Sequence, residues 1–286
     1  MKHLDEKYED LKKFIAEKGK NGVLIALSGG VDSSTLAAVC HNVLGEKAVA
    51  VTLKSPVYPS EEIEEAKRIA QKISIKHYVV EVDQLSNENF VNNPENRCYY
   101  CKKEMMECLQ KFAQKLGLKT IFEGTNFSDL SGHRPGFEAI KESGNVICPW
   151  VAKEFAKEEI RALARKLGLP FYDKPAMACL ASRISFGERI TREKLYRVEE
   201  AERIVRELSG VRQLRVRDHG GLARIEVGKD ERHLLFDAEV MDKIAEKLKR
   251  LGFKFVTLDL EGYRAGSMLA AMKQERKPPT IKTAEN

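Results

Sequence analysis

The chain has no stretch of roughly 18 consecutive apolar residues, so no transmembrane helix is expected. Its first residues lack the apolar core of a secretory signal. Leu4, Tyr8, Leu11 and Ile15 instead mark one face of a helix among charged neighbours. There is no internal repeat and no low-complexity tract, which excludes solenoid and fibrous architectures. Cysteine is sparse, six in 286 residues, and does not form the dense framework of a small secreted protein. These thiols are read as free, metal-binding or reactive groups in a reducing compartment, and a cytoplasmic location is expected.

What remains is enough for one large domain or two ordinary ones, with 43% hydrophobic residues to fill a core. The net charge of +6 suits nucleotides, anionic substrates or RNA equally. The basic stretch Lys273-Gln274-Glu275-Arg276-Lys277-Pro278-Pro279 reads as a disordered end rather than an RNA arm.

Apolar runs and helical patterns alternate along the first part of the chain. Val23–Leu27 and Ala48–Leu53 read as buried strands, His77–Val82 and Thr120–Gly124 as a third and fourth strand, and Val146–Pro149 as a short fifth. Helical patterns over 61–72, 102–116 and 157–167 lie between or after them. This alternation predicts an α/β fold with a doubly wound, mostly parallel sheet, whose ligands sit beyond the carboxyl ends of the strands. The loop after Leu27, Thr52-Leu53-Lys54-Ser55 and Glu123-Gly124-Thr125-Asn126 all fall at such ends and converge on one crevice. Near residue 185 the pattern changes. A helix over 191–208, a hairpin of 213–217 and 223–227 around Gly220-Gly221, a helix over 238–251 and a strand over 254–258 form a smaller α/β unit. The expected division is a first domain over 1–184, a small domain over 185–270 and a basic tail over 271–286.

The most informative segment is Ser28-Gly29-Gly30-Val31-Asp32-Ser33-Ser34, between a strand and a helix. Two glycines let the backbone approach an anion. Ser33, Ser34 and the amides of the first helical turn can then hydrogen-bond phosphate oxygens, in the favourable potential of the helix dipole. No lysine follows the glycines, so this is not a Walker A loop. It resembles the PP-loop of the ATP pyrophosphatases, whose pattern is Ser-Gly-Gly-x-Asp-Ser. That resemblance implies an adenine nucleotide alpha hydrolase-like fold and cleavage of ATP between its α and β phosphates.

Cys98 and Cys101 form a Cys-x-x-Cys in a polar segment before a helix, and Cys179 stands in Pro175-Ala176-Met177-Ala178-Cys179-Leu180-Ala181-Ser182-Arg183. The pair alone fits a redox couple, half a zinc site or chance. Cys40 and Cys148 read as buried small hydrophobes, and Cys108 as the same within a helix. That leaves three cysteines in loop contexts. Three thiolates leave one iron of a four-iron cluster open, whereas no second Cys-x-x-Cys or His-x-x-x-His completes a zinc site. Around Glu123–Asp129, Asp129 could help hold magnesium and Arg134 a phosphate, or the segment is an ordinary capped surface loop. In the hairpin, Leu214 and Val216 alternate with Arg215 and Arg217, and Ile225 and Val227 with Arg224 and Glu226. The charged face is either an anion cradle or a solvated set of cross-strand ion pairs.

Four segments, in order, resemble the LarE family of ATP-dependent sulfur transferases, which serve nickel-pincer nucleotide cofactor biosynthesis. They are Ser28 to Ser34, Asn96 to Lys102, Glu123–Asn126 with Arg134-Pro135-Gly136, and Pro175 to Ile184. The resemblance covers about residues 15–270. It implies a pyridinium biscarboxylic acid mononucleotide as substrate: Mg2+-bound ATP adenylates each carboxylate, and sulfur then displaces AMP to give a thiocarboxylate. One type in the family sacrifices the sulfur of the cysteine matching Cys179. The other holds a 4Fe-4S cluster on three cysteines and transfers an extra sulfide of unknown source. The presence of Cys98, Cys101 and Cys179 matches the cluster type. By the same resemblance, Ser28, Gly29, Gly30, Asp32, Ser33 and Ser34 bind ATP phosphates. Thr52, Leu53, Lys54, Gly124, Thr125 and Asp129 line the nucleotide site. Arg183, Arg215 and Arg217, with Glu226, take the phosphate and carboxylate end of the substrate. The family also implies a homo-oligomer.

A tRNA thiolase would share this chemistry but bring a THUMP domain, zinc fingers or a strong basic patch, none of which is visible. An amidotransferase-type ligase would make no use of three loop cysteines. A nucleotide-binding regulator or cluster-bearing sensor without turnover is separated from the enzymes by pyrophosphate release.

Overall fold

The computed structural model describes residues 2–131, 134–175, 178–264, 266 and 268. The basic tail over 271–286, and Ala176 and Met177 of the Cys179 segment, lie outside the described residues. The chain divides into two compact units, Met1–Cys179 and Leu180–Asn286.

The first unit runs α1 (Lys2–Lys18), β1 (Val23–Ala26), α2 (Val31–Leu44), β2 (Ala48–Lys54), α3 (Ser60–Lys72), β3 (Lys76–Glu81), α4 (Glu88–Val91), α5 (Arg97–Lys115), β4 (Thr120–Phe122), α6 (Pro135–Lys141), β5 (Val146–Ile147), α7 (Pro149–Ala152) and α8 (Lys157–Lys166). Its five strands lie in the order β3-β2-β1-β4-β5, and every neighbouring pair is parallel. This is the doubly wound sheet expected from the alternating pattern. Period-two side-chain alternation sends successive strand residues to two cores. Val23, Ile25, Ala48, Ala50 and Phe122 meet Leu11, Ile15, Leu36, Ala37, Ile160 and Leu163 on one face. Leu24, Val49, Val51 and Ile121 meet Met106, Leu109 and Ala113 of α5 on the other. Cys40 is fully buried in the first core, as its apolar neighbours suggest. No helix among the described residues is long and apolar enough to cross a membrane.

The order reverses between β1 and β4, the switch point where such sheets open a crevice. Val23 pairs with Thr120 there, so β1 and β4 deliver their carboxyl ends side by side.

The second unit contains α9 (Arg192–Ser209), β6 (Leu214–His219), β7 (Leu222–Val227), α10 (Ala238–Arg250) and β8 (Phe255–Leu258). Thr191 caps α9 by accepting from the Lys194 amide, and Gly210 ends it in the left-handed region at φ 74°. β6 and β7 form the expected antiparallel hairpin, and β8 adds to β7 in parallel. Gly220 and Gly221, at φ 61° and 93°, supply the positive dihedrals of its two-residue turn.

Candidate active site

The crevice at the switch point holds a cavity of about 710 Å³ within the first unit. The glycine loop forms one wall. Its first glycine, Gly29, has φ 77°, and an added Cβ would meet the Glu62 carbonyl at 3.1 Å. Ser33 Oγ is the pivot of the turn. It accepts from the Ser28 amide at 3.1 Å, shares a hydrogen bond with Ser28 Oγ at 3.0 Å and donates to the Gly30 carbonyl at 3.2 Å. The Ser34 amide makes the first i→i−4 bond of α2, to Gly30 at 3.0 Å. The amides of Val31, Asp32 and Ser33 precede that bond and have no intrahelical partner. They are the donors available to an anion. Ser34, also expected at the phosphates, gives its amide to the Gly30 carbonyl, and its side chain is fully buried and does not line the cavity.

The end of β4 forms the second wall. Gly124 lies so close to the loop that a Cβ there would stand 3.0 Å from both Ser33 Cα and Ser33 N. Asn126 caps the turn that follows and Asp129 completes a capping box with it. The Asn126 amide also donates to Asp32 Oδ2 at 3.0 Å. Asp32 Oδ1 pairs with Lys157 Nζ at 2.6 Å, and the Asp32 carbonyl accepts from the Trp150 indole at 3.1 Å. Asp32 is thus fastened to α7, α8 and the β4 loop together. Asp129, read as a nucleotide or magnesium residue, does line the cavity, in an ion pair with Arg134 at 2.9 Å.

Thr52 and Leu53 line the cavity from the end of β2. The Thr52 hydroxyl donates to the Leu27 carbonyl at 2.7 Å and sits 2.8 Å from His77 Nε2. Lys54 does not line it; the side chain is exposed and pairs with Glu81 across the sheet edge at 3.0 Å. Deeper in the wall, Lys102 pairs with Glu123 at 2.8 Å. Burial opposes both charges, but each partner outweighs it, so Lys102 is raised and Glu123 lowered from their ordinary values. Glu123 also accepts from the Thr125 amide at 2.8 Å and from the Cys148 thiol at 3.5 Å.

Two of the three cysteines read in loop contexts are placed in a helix, while Cys179 lies outside any helix or strand. Cys98 and Cys101 lie in the first turns of α5, three residues apart and so on one helix face. Cys101 accepts from Gln84 Nε2 at 3.4 Å. Desolvation, and then the charges of Cys179 and Cys98, push its thiol up to about 12. Partial desolvation and Cys179 likewise raise Cys98. Tyr58, half-buried and on the cavity wall, feels the charges of Cys101 and Cys179. The thiols of Cys98 and Cys101 thus each feel the charge of Cys179, and Cys179 alone among the three lines the cavity. The soft donor set suits iron. Among the described residues, however, no three donors stand together at ligand spacing.

The second unit brings Arg183, Arg215, Arg217 and Glu226 together, all buried. The hairpin face is therefore not solvated. Arg183 makes a two-pronged pair with Glu202 of α9, at 2.8 and 3.1 Å. Glu202 also accepts from the Val216 amide at 3.2 Å, covering the outer edge of β6. Arg217 and Arg224 both pair with Glu226 at 2.8 Å. Arg215 stacks over the Tyr263 ring at 5.2 Å, and burial first and Arg183 second hold it below the ordinary guanidinium value.

An anion loop at the switch point of a parallel sheet, with its lysines gathered around it, defines a PP-loop nucleotide-binding protein, and the family model described as NAD synthase matches residues 4–185. The chain belongs to the LarE branch of that family. It is 33% identical to the pyridinium-3,5-bisthiocarboxylic acid mononucleotide synthase of Lactiplantibacillus plantarum, over 88% of this chain and 91% of that protein. It is 43% identical to an uncharacterised protein of Synechocystis, over 93% of this chain and 97% of that one. The NH3-dependent NAD+ synthetase of Pyrococcus horikoshii is more distant, 28% identical over 58% of this chain and 64% of its own length.

Sequence reading missed Lys102, Lys157, Lys174 and Tyr58 on this cavity. The lysines come from α5, the first residue of α8 and the strap before Pro175, and no local motif marks them. Their one sequence signal is position after a strand or at a helix start, which many surface lysines share.

Proposed function

We propose that the chain is an ATP-dependent sulfur transferase that converts the carboxylates of a pyridinium biscarboxylic acid mononucleotide into thiocarboxylates. The observation that carries this reading is Cys179 on the wall of the cavity that the anion loop builds. The relative from L. plantarum, named for the bisthiocarboxylic acid product, supports the substrate class.

A carboxylate is a poor acyl donor, and adenylation makes it a good one. A substrate carboxylate oxygen bonds to the α-phosphorus of ATP. The bond from that phosphorus to its bridging oxygen breaks, and pyrophosphate leaves with the electron pair. Sulfur then adds to the acyl carbon and the carbon–oxygen bond to AMP breaks. The free amides of Val31, Asp32 and Ser33 are aimed where the leaving charge grows, in a site already shaped for it. Magnesium carried with ATP supplies further neutralisation there. Cys98, Cys101 and Cys179 are the residues that would hold a 4Fe-4S cluster, which would supply a sulfide for transfer. Arg183, Arg215 and Arg217, with Glu226, are proposed for the anionic end of the mononucleotide; because each is already hydrogen-bonded or ion-paired, binding there proceeds by exchange of partners.

The test uses full-length protein purified and reconstituted without oxygen, given ATP and the mononucleotide. Pyrophosphate release that requires the mononucleotide, with a product heavier by oxygen-to-sulfur exchange, supports the reading. About four irons per chain, lost in Cys98→Ala, supports the cluster. No mononucleotide-dependent pyrophosphate overturns the enzyme. A second reading is favoured by Cys179 being the cavity cysteine of the three: it gives up its own sulfur. In that case iron is absent, turnover stops after one sulfur, and the protein loses the mass of hydrogen sulfide at Cys179.

A further inference from the structure

Among the described residues, four cationic side chains line the cavity: Lys102, Arg134, Lys157 and Lys174. Three are matched by carboxylates, Lys102 by Glu123, Arg134 by Asp129 and Lys157 by Asp32. Lys174 is different. Its ammonium donates to the Gly29 carbonyl at 2.9 Å, and among the described residues no carboxylate stands within ion-pair distance of it. Its charge is therefore placed on the glycine loop itself, against a neutral acceptor.

The backbone that carries Lys174 is clamped. Arg161 of α8 reaches it with both guanidinium nitrogens, Nη1 donating to the Tyr172 carbonyl at 2.7 Å and Nη2 to the Lys174 carbonyl at 2.7 Å. A planar fork can bridge two carbonyls in this way, and a lysine ammonium cannot hold the same geometry. Neither contact is needed to close the sheet, and neither residue was assigned a role by the loop motif.

We infer that Lys174 binds the pyrophosphate end of the nucleotide, exchanging the Gly29 carbonyl for a phosphate oxygen, and that Arg161 is the positioning residue that presents it. This rests on the reading of the glycine loop as the ATP phosphate site. The carbonyl is the weaker partner. The carbonyl offers the ammonium a dipole, whereas a phosphate oxygen offers a full negative charge at the same short range, so Coulomb attraction draws the ammonium from Gly29 to an arriving phosphate. The exchange places positive charge where the bridging oxygen receives the electron pair as the α-phosphorus bond breaks. It also leaves the Gly29 carbonyl without its donor until pyrophosphate departs, which favours return to the resting contact.

The chain has a single tryptophan, Trp150, whose indole hydrogen-bonds the Asp32 carbonyl at the start of α2. Its fluorescence reports the loop directly. The experiment titrates full-length wild type, Lys174→Met, Lys174→Arg and Arg161→Lys with magnesium pyrophosphate, ATP and AMP. Lys174→Met should weaken pyrophosphate and ATP by about tenfold or more, the loss of one charged hydrogen bond, while AMP is unchanged. Lys174→Arg should restore most of that affinity. Arg161→Lys should lower pyrophosphate affinity and leave AMP alone, which a merely structural clamp would not do selectively. Equal pyrophosphate binding by wild type and Lys174→Met overturns the role of Lys174. Equal loss of AMP and pyrophosphate in Lys174→Met also overturns it, since that pattern means general damage. Wild type that binds neither ATP nor pyrophosphate overturns the loop reading instead, and with it this inference.

Discussion

Replacing Gly124 by alanine tests the closest approach in the site. The added methyl would stand 3.0 Å from the backbone N and Cα of Ser33, and neither atom belongs to a flexible side chain. Either the β4 loop or the start of α2 must shift by several tenths of an ångström. Overpacking of this kind costs about 1–3 kcal/mol. In a unit of this size each kcal/mol lowers the melting temperature by roughly 2–4 °C, so a fall of about 2–12 °C is expected. The shift also turns the Val31–Ser33 amides away from an anion, and ATP affinity should fall by about tenfold, one charged hydrogen bond misaligned. Gly144→Ala is the control, because a Cβ there meets nothing within 4 Å. The assays are thermal melting and ATP titration by Trp150 fluorescence. If Gly124→Ala melts and binds ATP as Gly144→Ala does, the loop and β4 are not in the contact described, and the argument for a shared wall fails.

Lys157→Met leaves the half-buried Asp32 carboxylate with Asn126 as its side-chain donor. It should destabilise by about 1 kcal/mol, and Asp32→Asn in the same background should recover part of that in a urea double-mutant cycle. Trp150→Phe removes the donor to the Asp32 carbonyl and some buried ring; about 1–3 kcal/mol of stability should be lost by urea denaturation. His77 is held below its ordinary value of 6.5 by burial first and by Lys67 second. The folded state therefore binds fewer protons than the unfolded one as pH falls below 6.5. Its contribution is present above that pH and is lost on descending through the folded value. The urea midpoint should drop from about pH 7.5 to about pH 5.5, and drop less in His77→Gln; equal drops would refute the assignment.

The central strands β1 and β2 were legible because each is a nearly continuous apolar run, and that pattern belongs to parallel strands buried on both faces. The glycine loop was legible because its chemistry is local: a tight turn and free amides need particular residues in a particular order. The start of α5 was not. Arg97-Cys98-Tyr99-Tyr100-Cys101 has few strong helix formers, so the helical pattern appears to begin at Lys102. Tertiary contacts override this: Arg97 is buried and donates to Asn93 at 2.9 Å, and Gln84 reaches Cys101. In the hairpin the alternation was read with the right period, but its charged face is buried. Glu226 pairs with Arg217 and Arg224 inside the hairpin, while Glu202 of α9 takes Arg183 and the Val216 amide, and a helix residue aimed at a neighbouring strand leaves no trace in strand periodicity. The cavity lysines were invisible for a related reason, since their roles depend on where three separate segments arrive.

The pairing of Val23 with Thr120 sets when, as well as where, the nucleotide site comes into being. β1 carries the loop, but the opposite wall is supplied by a strand nearly a hundred residues later in the chain. Closing so long a loop is entropically costly and slow relative to local contacts. A chain emerging from synthesis thus displays its glycine loop long before it owns a site. Nucleotide can stabilise only molecules in which the β1–β4 contact has already formed. Binding of ATP is in that sense a seal on completed folding of the first unit, and truncations ending before Thr120 should show the motif with none of its affinity.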